Sequence, residues 1–333
     1  MVKNGEQGSA LLIVLSTLMV LALLTASIVV ISQSSRLMTA VNIQMDRSFY
    51  HCESAGVRTI WLLLDDIENF SDRAQIDTPP DFNDRERFMA NGRTHVITIG
   101  GQELEVRIFD YFSGLRFEHP EQPSQDLDFV TDRLDDELEI RKRFRAMLKK
   151  LDDYVDADSS SGNDGLEKLG YRDLGIPALP RNGEIRRREE LSYVPDLLAF
   201  FPPDEAGRLR YFNLMVPTVE IPAEQKPQIL SVPENFLLDT LDLEERQEER
   251  LRELMAEMQD PEKTFDEVFS TENELLEQLK EEFSFEESGY YLIQIRPAPG
   301  TRQPGKWLEF VIHVPRETAF AIDQTYYYYW QLL

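Results

Sequence analysis

Cysteine and histidine are scarce in this sequence of 333 residues. Cys52 is the only cysteine, which excludes an internal disulfide framework, and the four histidines, His51, His95, His119 and His313, are scattered. That spacing speaks against a Cys/His zinc cluster. Basic residues are also short: 35 Lys and Arg face 61 Asp and Glu, for a formal charge of −26. A chain so negative repels phosphate backbones and anionic surfaces, so no nucleic-acid partner is expected. Common catalytic signatures are missing too, with no G-x-S-x-G, H-E-x-x-H, C-x-x-C, Walker A loop or G-x-G-x-x-G. His51, Cys52 and Glu53 stand side by side, but neighbours on a helix project about 100° apart and cannot work as nucleophile and base. Acidic pairs such as Asp65-Asp66 and Asp135-Asp136 carry no weight singly among 61 carboxylates. No enzyme is expected.

What the chain does have is one long apolar run. After the polar stretch Met1 to Gly8, roughly 22 residues from Ala10 to Ile31 contain no charge, proline or glycine. As a helix they reach about 33 Å, close to the thickness of a bilayer core. The Ser and Thr hydroxyls within the run can bond back to the preceding turn and are tolerated in lipid. A buried core helix and a secretory signal peptide are the rival readings. The signal peptide would want a shorter apolar core and an A-x-A site before a polar mature start.

Instead, the helical pattern continues. Between Gln33 and Phe70 there is no proline and a single glycine, Gly56. Leu37, Val41, Met45, Phe49, Val57, Ile60 and Leu64 form an apolar stripe at helical spacing. The segments predict one helix of roughly 55 to 60 residues, half in lipid and half packed on a domain.

The leader ending in Gly8, the small Ser9, the uncharged helix and the run SFYHCESAGVRTIWLLL (48–64) resemble the type IV pilin and pseudopilin superfamily. The resemblance implies cleavage after Gly8 by prepilin peptidase and methylation of the new N-terminus at Ser9. Most members carry Glu at the fifth mature position, where this chain has Ile13. In the superfamily that Glu neutralises the N-terminal ammonium of the subunit above, so its lack suits a subunit at a filament tip. The minor pseudopilin K of type II secretion systems is the member known for it. The fold class expected is therefore α+β: a long N-terminal transmembrane helix on a pseudopilin-type β-sheet, with a large α-helical insertion.

Beyond the helix, 76–91 reads as a Pro- and Asp-rich loop. Two alternating runs, 94–99 and 103–109, joined by Gly100-Gly101, predict a hairpin. The run 106–117 resembles the strand and turn closing the first part of the K-family β-domain (94–117). A charged amphipathic helix is expected over 127–151, with Phe129, Leu134, Leu138, Phe144, Met147 and Leu151 inward and Arg141 to Arg143 on a solvated face. Another is expected near 189–200. The K resemblance assigns 120–205 to the helical insertion and 206–333 to the rest of the β-domain. Within the latter, strands are expected at 211–221, 290–296, 307–314 and 319–330. The acidic stretch 241–283 reads as a solvent-facing helical excursion of low stability. The aromatic run Tyr326 to Trp330 is expected to pack on both sheet faces, a sugar- or partner-binding patch being the alternative.

One constellation carries chemistry. In DYVDADSSSGNDGLE (153–167), taking Asp156 as position 1 puts Asp158, Ser160, Asp164 and Glu167 at the oxygen-ligand positions of a Ca²⁺ loop. The glycine does not fit an EF-hand, since position 6 is Ser161. A solvated acidic loop is the alternative. The K-family motif runs Asp-Trp-Ile/Leu-Asp-x-Asp, then Gly-Ala-Glu and one or two tyrosines. This chain resembles it at Asp153, Asp156, Asp158, Gly165, Glu167 and Tyr171, with Tyr154 for the Trp and Leu166 for the Ala, and LPRNGEIRRREELSYV (179–194) resembles its next segment. That resemblance implies Ca²⁺ held by Asp156, Asp158 and Glu167; Asn163 and Asp164 are added for their oxygens alone. It also implies the I- and J-type minor pseudopilins, the major pseudopilin and prepilin peptidase as partners. The location implied is the inner membrane, single-pass, with the acidic domain in the periplasm. A minor pilin of a type IV pilus and a membrane-tethered periplasmic enzyme are the alternatives.

Overall fold

With nothing to break it, the N-terminal segment forms a single helix, α1 (Gly5–Asn69), of 65 residues. The computed structural model describes residues 5–70, 73–74, 76, 86–134, 138–160, 164–176, 179–204, 207–213, 225–241, 243–258, 260, 263–298, 306–314 and 326–332. Side chains are described for those residues except 5–10, 132–133 and 326–332. From Leu11 to Ile31 the α1 side chains are exposed, and the hydroxyls of Thr25 and Ser27 donate to the carbonyls of Leu21 and Leu23, one turn back. It is the one helix among the described residues long and apolar enough to cross a membrane.

The second half of α1 lies on a five-stranded antiparallel sheet, β1 (Asn91–Ile99), β2 (Gln102–Asp110), β3 (Tyr290–Pro297), β4 (Leu308–His313) and β5 (Tyr326–Leu332), in that spatial order. The Gly100-Gly101 turn makes the expected hairpin, both glycines having positive φ. Cys52, Ala55, Ile60, Leu63 and Leu64 of α1 pack against Val106, Ile108, Ile293, Ile295, Phe310 and Ile312 on one sheet face. Leu63 is wholly buried, a contribution of about 1.5–3 kcal/mol for a side chain of that type. Gly56 allows the close approach: a Cβ there would meet Phe310 at 3.1 Å and Ile295 at 3.3 Å. His51 and Cys52 go separate ways, as expected. His51 Nδ1 lies 2.7 Å from Gln102 Oε1, while the Cys52 thiol, pushed up to about 11 by burial, donates to the Lys306 carbonyl at 3.3 Å.

The chain leaves the sheet after β2 and returns at β3, and between them lies a helical unit. It comprises α2 (Asp128–Arg133), α3 (Leu138–Val155), α4 (Lys168–Asp173), a 3₁₀ turn Arg188–Tyr193, α5 (Leu197–Phe200), α6 (Glu234–Leu241), α7 (Glu245–Glu257), α8 (Phe265–Val268) and α9 (Asn273–Glu282). Phe144, Met147, Leu151, Phe201, Tyr211 and Phe236 share one core with Leu251, Leu254, Phe265, Leu279 and Phe283. This corrects the reading of 241–283 as a solvent-facing excursion of the β-domain. The net acidity masks Leu251, Leu254 and Met258 at helical spacing, and they are buried with the insertion. The helix expected over 127–151 is broken after α2, and α3 begins at Leu138, whose side chain is exposed rather than inward. The other inward positions are buried or half-buried; of the basic run, Lys142 beside Glu139 and Arg143 on Asp196 are exposed, whereas Arg141 is half-buried. The helix expected near 189–200 is a 3₁₀ turn and one short α turn. Of the strand expected at 211–221, Phe212 bridges Leu115, and 214–221 lie outside the described residues. So do 319–325 and the side chains of Tyr326 to Trp330.

Two buried ionic clusters join these parts. Asp66, near the end of α1, accepts from Arg87 Nε (2.8 Å), the Phe88 amide (3.0 Å) and Arg73. Arg73 Nε donates in turn to Glu287 Oε2 (2.6 Å), just ahead of β3, and Tyr291 donates to the same oxygen (2.9 Å). On the sheet face away from α1, Glu309 of β4 is 2% exposed and takes Arg188 (2.6 Å), Gln294 (2.7 Å) and Arg208 (3.3 Å). Arg188 and Arg208 come from the helical unit, so Glu309 seats that unit on the sheet.

At the neck, Asp110 of β2 is wholly buried and accepts from the Phe112 amide (2.9 Å), the Ser288 amide (2.6 Å) and the Ser288 hydroxyl (2.9 Å). Burial, with a smaller effect from Glu287, lifts its carboxyl to about 7 despite those donors. Between pH 4 and 7 the folded chain therefore holds a proton that the unfolded chain has lost, and stability falls as pH rises, by at most about 1.4 kcal/mol per pH unit. Asp110→Asn removes this slope. In denaturant titrations of the full chain in micelles, the variant's stability relative to wild type should climb from pH 4 to 7 and level off above. A constant difference would contradict the account. Gly56→Leu should cost about 1–3 kcal/mol in the same assay by prising α1 from Phe310.

Candidate metal centre

The acidic loop hangs from the C-terminal end of α3. Asp152 and Asp153 are adjacent on that last turn and diverge. Asp152 turns to Ser124, accepting from its amide (3.0 Å) and hydroxyl (2.6 Å), whereas Asp153 turns under the loop. Glu167 closes the loop as N-cap of α4, its Oε2 accepting from the Lys168 amide at 3.3 Å. Asp158 Oδ1 accepts from the Ser160 amide at 2.6 Å.

Asp156, Asp158 and Glu167 converge, with one carboxylate oxygen of each within 4.8 Å of the others. Asp156 Oδ1, Glu167 Oε1 and Asp153 Oδ2 are buried and have no hydrogen-bond partner. Glu167 is 8% exposed and Asp153 9%. A buried carboxylate oxygen without a donor is costly unless a cation or proton satisfies it. Burial first, then repulsion from the neighbouring acids, raises the pKa of Asp153, Asp156 and Glu167. An all-oxygen set of short, hard donors on a turn fits a hard cation such as Ca²⁺ and not a soft metal. Asp156, Asp158 and Glu167 would hold it, with Asp153 beneath.

Of the five residues expected as ligands, three meet. Asp164 does not join them: in a left-handed turn (φ 70°), its carboxylate faces solvent and lies 3.7 Å from Lys149 Nζ. Asn163 lies outside the described residues. Asp153 is the addition, quoted in the motif but not counted as an oxygen source. Its signal was the first carboxylate of Asp-x-x-Asp-x-Asp, three residues before Asp156 and hence on the same face of a helix end. Gly165 makes room for it, since a Cβ there would fall on Asp153 Oδ2. Tyr171, edge-on to Tyr154, has its hydroxyl buried beside these acids without a partner. At the other end of the chain, Gly8, Ser9 and Ile13 all lie within α1, and Ile13 is exposed.

No family model matches the chain, and no curated protein matches it. Among solved structures it is similar to a chain of the crystal structure of the GspK–GspI–GspJ complex from the type 2 secretion system of enterotoxigenic Escherichia coli. The two are 14% identical, with a TM-score of 0.48, over 89% of this chain and 99% of that one. At that identity and score nothing about function passes from that complex to this chain.

Ca²⁺ at a hundredfold excess over its Kd should stabilise the full chain by about 2.7 kcal/mol, read as a rise in melting temperature over EGTA. Asp156→Ala combined with Glu167→Ala should abolish the rise. A wild-type melt that ignores Ca²⁺, or a double variant that still responds, would contradict the site. Tb³⁺ bound there should luminesce through Tyr154 and Tyr171, and Gly165→Ala should weaken that binding by pushing Asp153 aside.

Proposed function

We propose that this chain is a minor pseudopilin of a type II secretion system that sits at, and initiates, the tip of the pseudopilus. The observation that carries this reading is α1 itself, one unbroken helix whose first half is apolar and bare and whose second half is packed on an antiparallel sheet. Such a helix has to satisfy two solvents in turn: lipid before assembly, and the helices of other subunits afterwards. Within a membrane or a filament core it would pack through small and β-branched residues such as Ala22, Ala26, Ser27, Val29 and Val30.

Two further features favour the tip. With Ser9 as the first mature residue, the fifth is Ile13, which offers no carboxylate to a subunit above. The helical unit between β2 and β3 is also bulky enough to obstruct neighbours along a filament. In this reading prepilin peptidase cuts after Gly8 and methylates Ser9. The chain waits in the inner membrane with its acidic domain in the periplasm, and it nucleates with I- and J-type minor pseudopilins ahead of the major pseudopilin. The acidic loop holds Ca²⁺ as a structural ion. The work is assembly, with no turnover.

Removing the gene from its host tests this. Exported enzymes should accumulate in the periplasm while the cytoplasm stays intact, and re-expression of the wild-type chain should restore export. Normal export together with loss of surface pili would point to a type IV pilus instead.

A further inference from the structure

The segment between the acidic loop and the sheet is cross-braced at both ends. At its first end Asn182 adopts a left-handed conformation (φ 51°) and grips both the end of α3 and the loop. Its amide donates to the Tyr154 carbonyl at 3.1 Å, and its carboxamide Nδ2 donates to the Asp158 carbonyl at 2.6 Å. Asp158 is itself one of the three converging acids. In the middle, Glu190 binds the segment to itself, accepting from Arg181 Nη1 (2.7 Å) and the Arg187 amide (3.1 Å), with Tyr154 against it. At the far end Arg188 reaches Glu309 on β4 at 2.6 Å, while Leu191, Val194 and Leu197 run into the helical core.

We propose that residues 181–193 form a strut through which a divalent cation on the acidic loop fixes the seat of the helical unit on the sheet. The inference rests on the Ca²⁺ reading of that loop and adds a regulatory role to it. The driving force is simple. Without a cation, three carboxylates within 4.8 Å of one another repel, and the loop is biased to open. Opening moves the Asp158 carbonyl and releases the Asn182 carboxamide. The strut then keeps its bond to the end of α3 but loses its tie to the acidic cluster, so the Arg188–Glu309 contact is no longer braced from the loop. Binding a cation reverses each step. Linkage demands reciprocity: whatever the ion adds to the seat, the seat returns to the affinity for the ion.

Hydrogen exchange on the full chain in micelles, with Ca²⁺ or EGTA, tests this. Ca²⁺ should slow exchange about tenfold at the hydrogen-bonded amides of Glu190 and Val194, as well as around the loop itself. Asn182→Gly keeps the left-handed turn and removes the carboxamide. It should confine the Ca²⁺ effect to the loop and weaken Ca²⁺ binding several-fold. Arg188→Gln, which touches no candidate ligand, should weaken Ca²⁺ binding as well. Slowing confined to the loop in the wild-type chain overturns the strut, as does undiminished slowing at 188–194 in Asn182→Gly. A Ca²⁺ effect nowhere, loop included, overturns the metal reading and the strut with it.

Discussion

Everything in this chain depends on how closely the second half of α1 can approach the sheet. Small residues at Cys52, Ala55 and Gly56 let the helix settle onto Ile295 and Phe310, and the side chains that follow, Ile60, Leu63 and Leu64, bury what the sheet offers on that face. One helix thus presents two surfaces along its length. Over 11–31 it is apolar and exposed among the described residues, and over 48–67 one side is buried on the sheet while Tyr50, Val57 and Trp61 stay exposed. The hydrophobic effect that anchors the second half also favours apolar surroundings for the first.

The joins between the parts are organised by charge. Glu309 with Arg188 and Arg208, and Asp66 with Arg73, Arg87 and Glu287, are buried ion networks at the joins between α1, sheet and helical unit. Desolvating such groups consumes most of what their attraction returns, so their main effect is on geometry. An apolar join could slide, whereas a guanidinium fixed to a carboxylate by paired hydrogen bonds cannot do so without leaving a buried charge alone. The helical unit leaves and rejoins the sheet at one neck, between Asp110 and Ser288, and Glu309 is a further point of attachment.

Much of this frame was legible in the residues. The continuity of α1, the Gly100-Gly101 hairpin and strands β3 and β4 follow from local periodicity and turn chemistry. What escaped were features decided by partners far away in the chain. Asp66 looked like one member of a common acidic pair, yet its burial depends on arginines at 73 and 87. The stretch 241–283 looked solvated because charge was averaged over it, while its leucines at helical spacing belong to the insertion's core. At the acidic loop the motif brought out Asp156, Asp158 and Glu167, which meet. Asp164 is turned away by a left-handed backbone, and Asp153 is turned in beneath Gly165. Spacing gives the order of oxygens along a loop but not the direction in which each one faces.

The proposed pseudopilin role makes the first half of α1 a processed anchor for membrane and filament. Its most direct test is the intact mass and N-terminal sequence of the chain recovered from membranes of a host that carries prepilin peptidase. A mature chain beginning at Ser9, with the mass of one added methyl group, is the predicted result. A chain that still begins at Met1 in such a host would contradict the account, leaving a plain membrane-tethered domain.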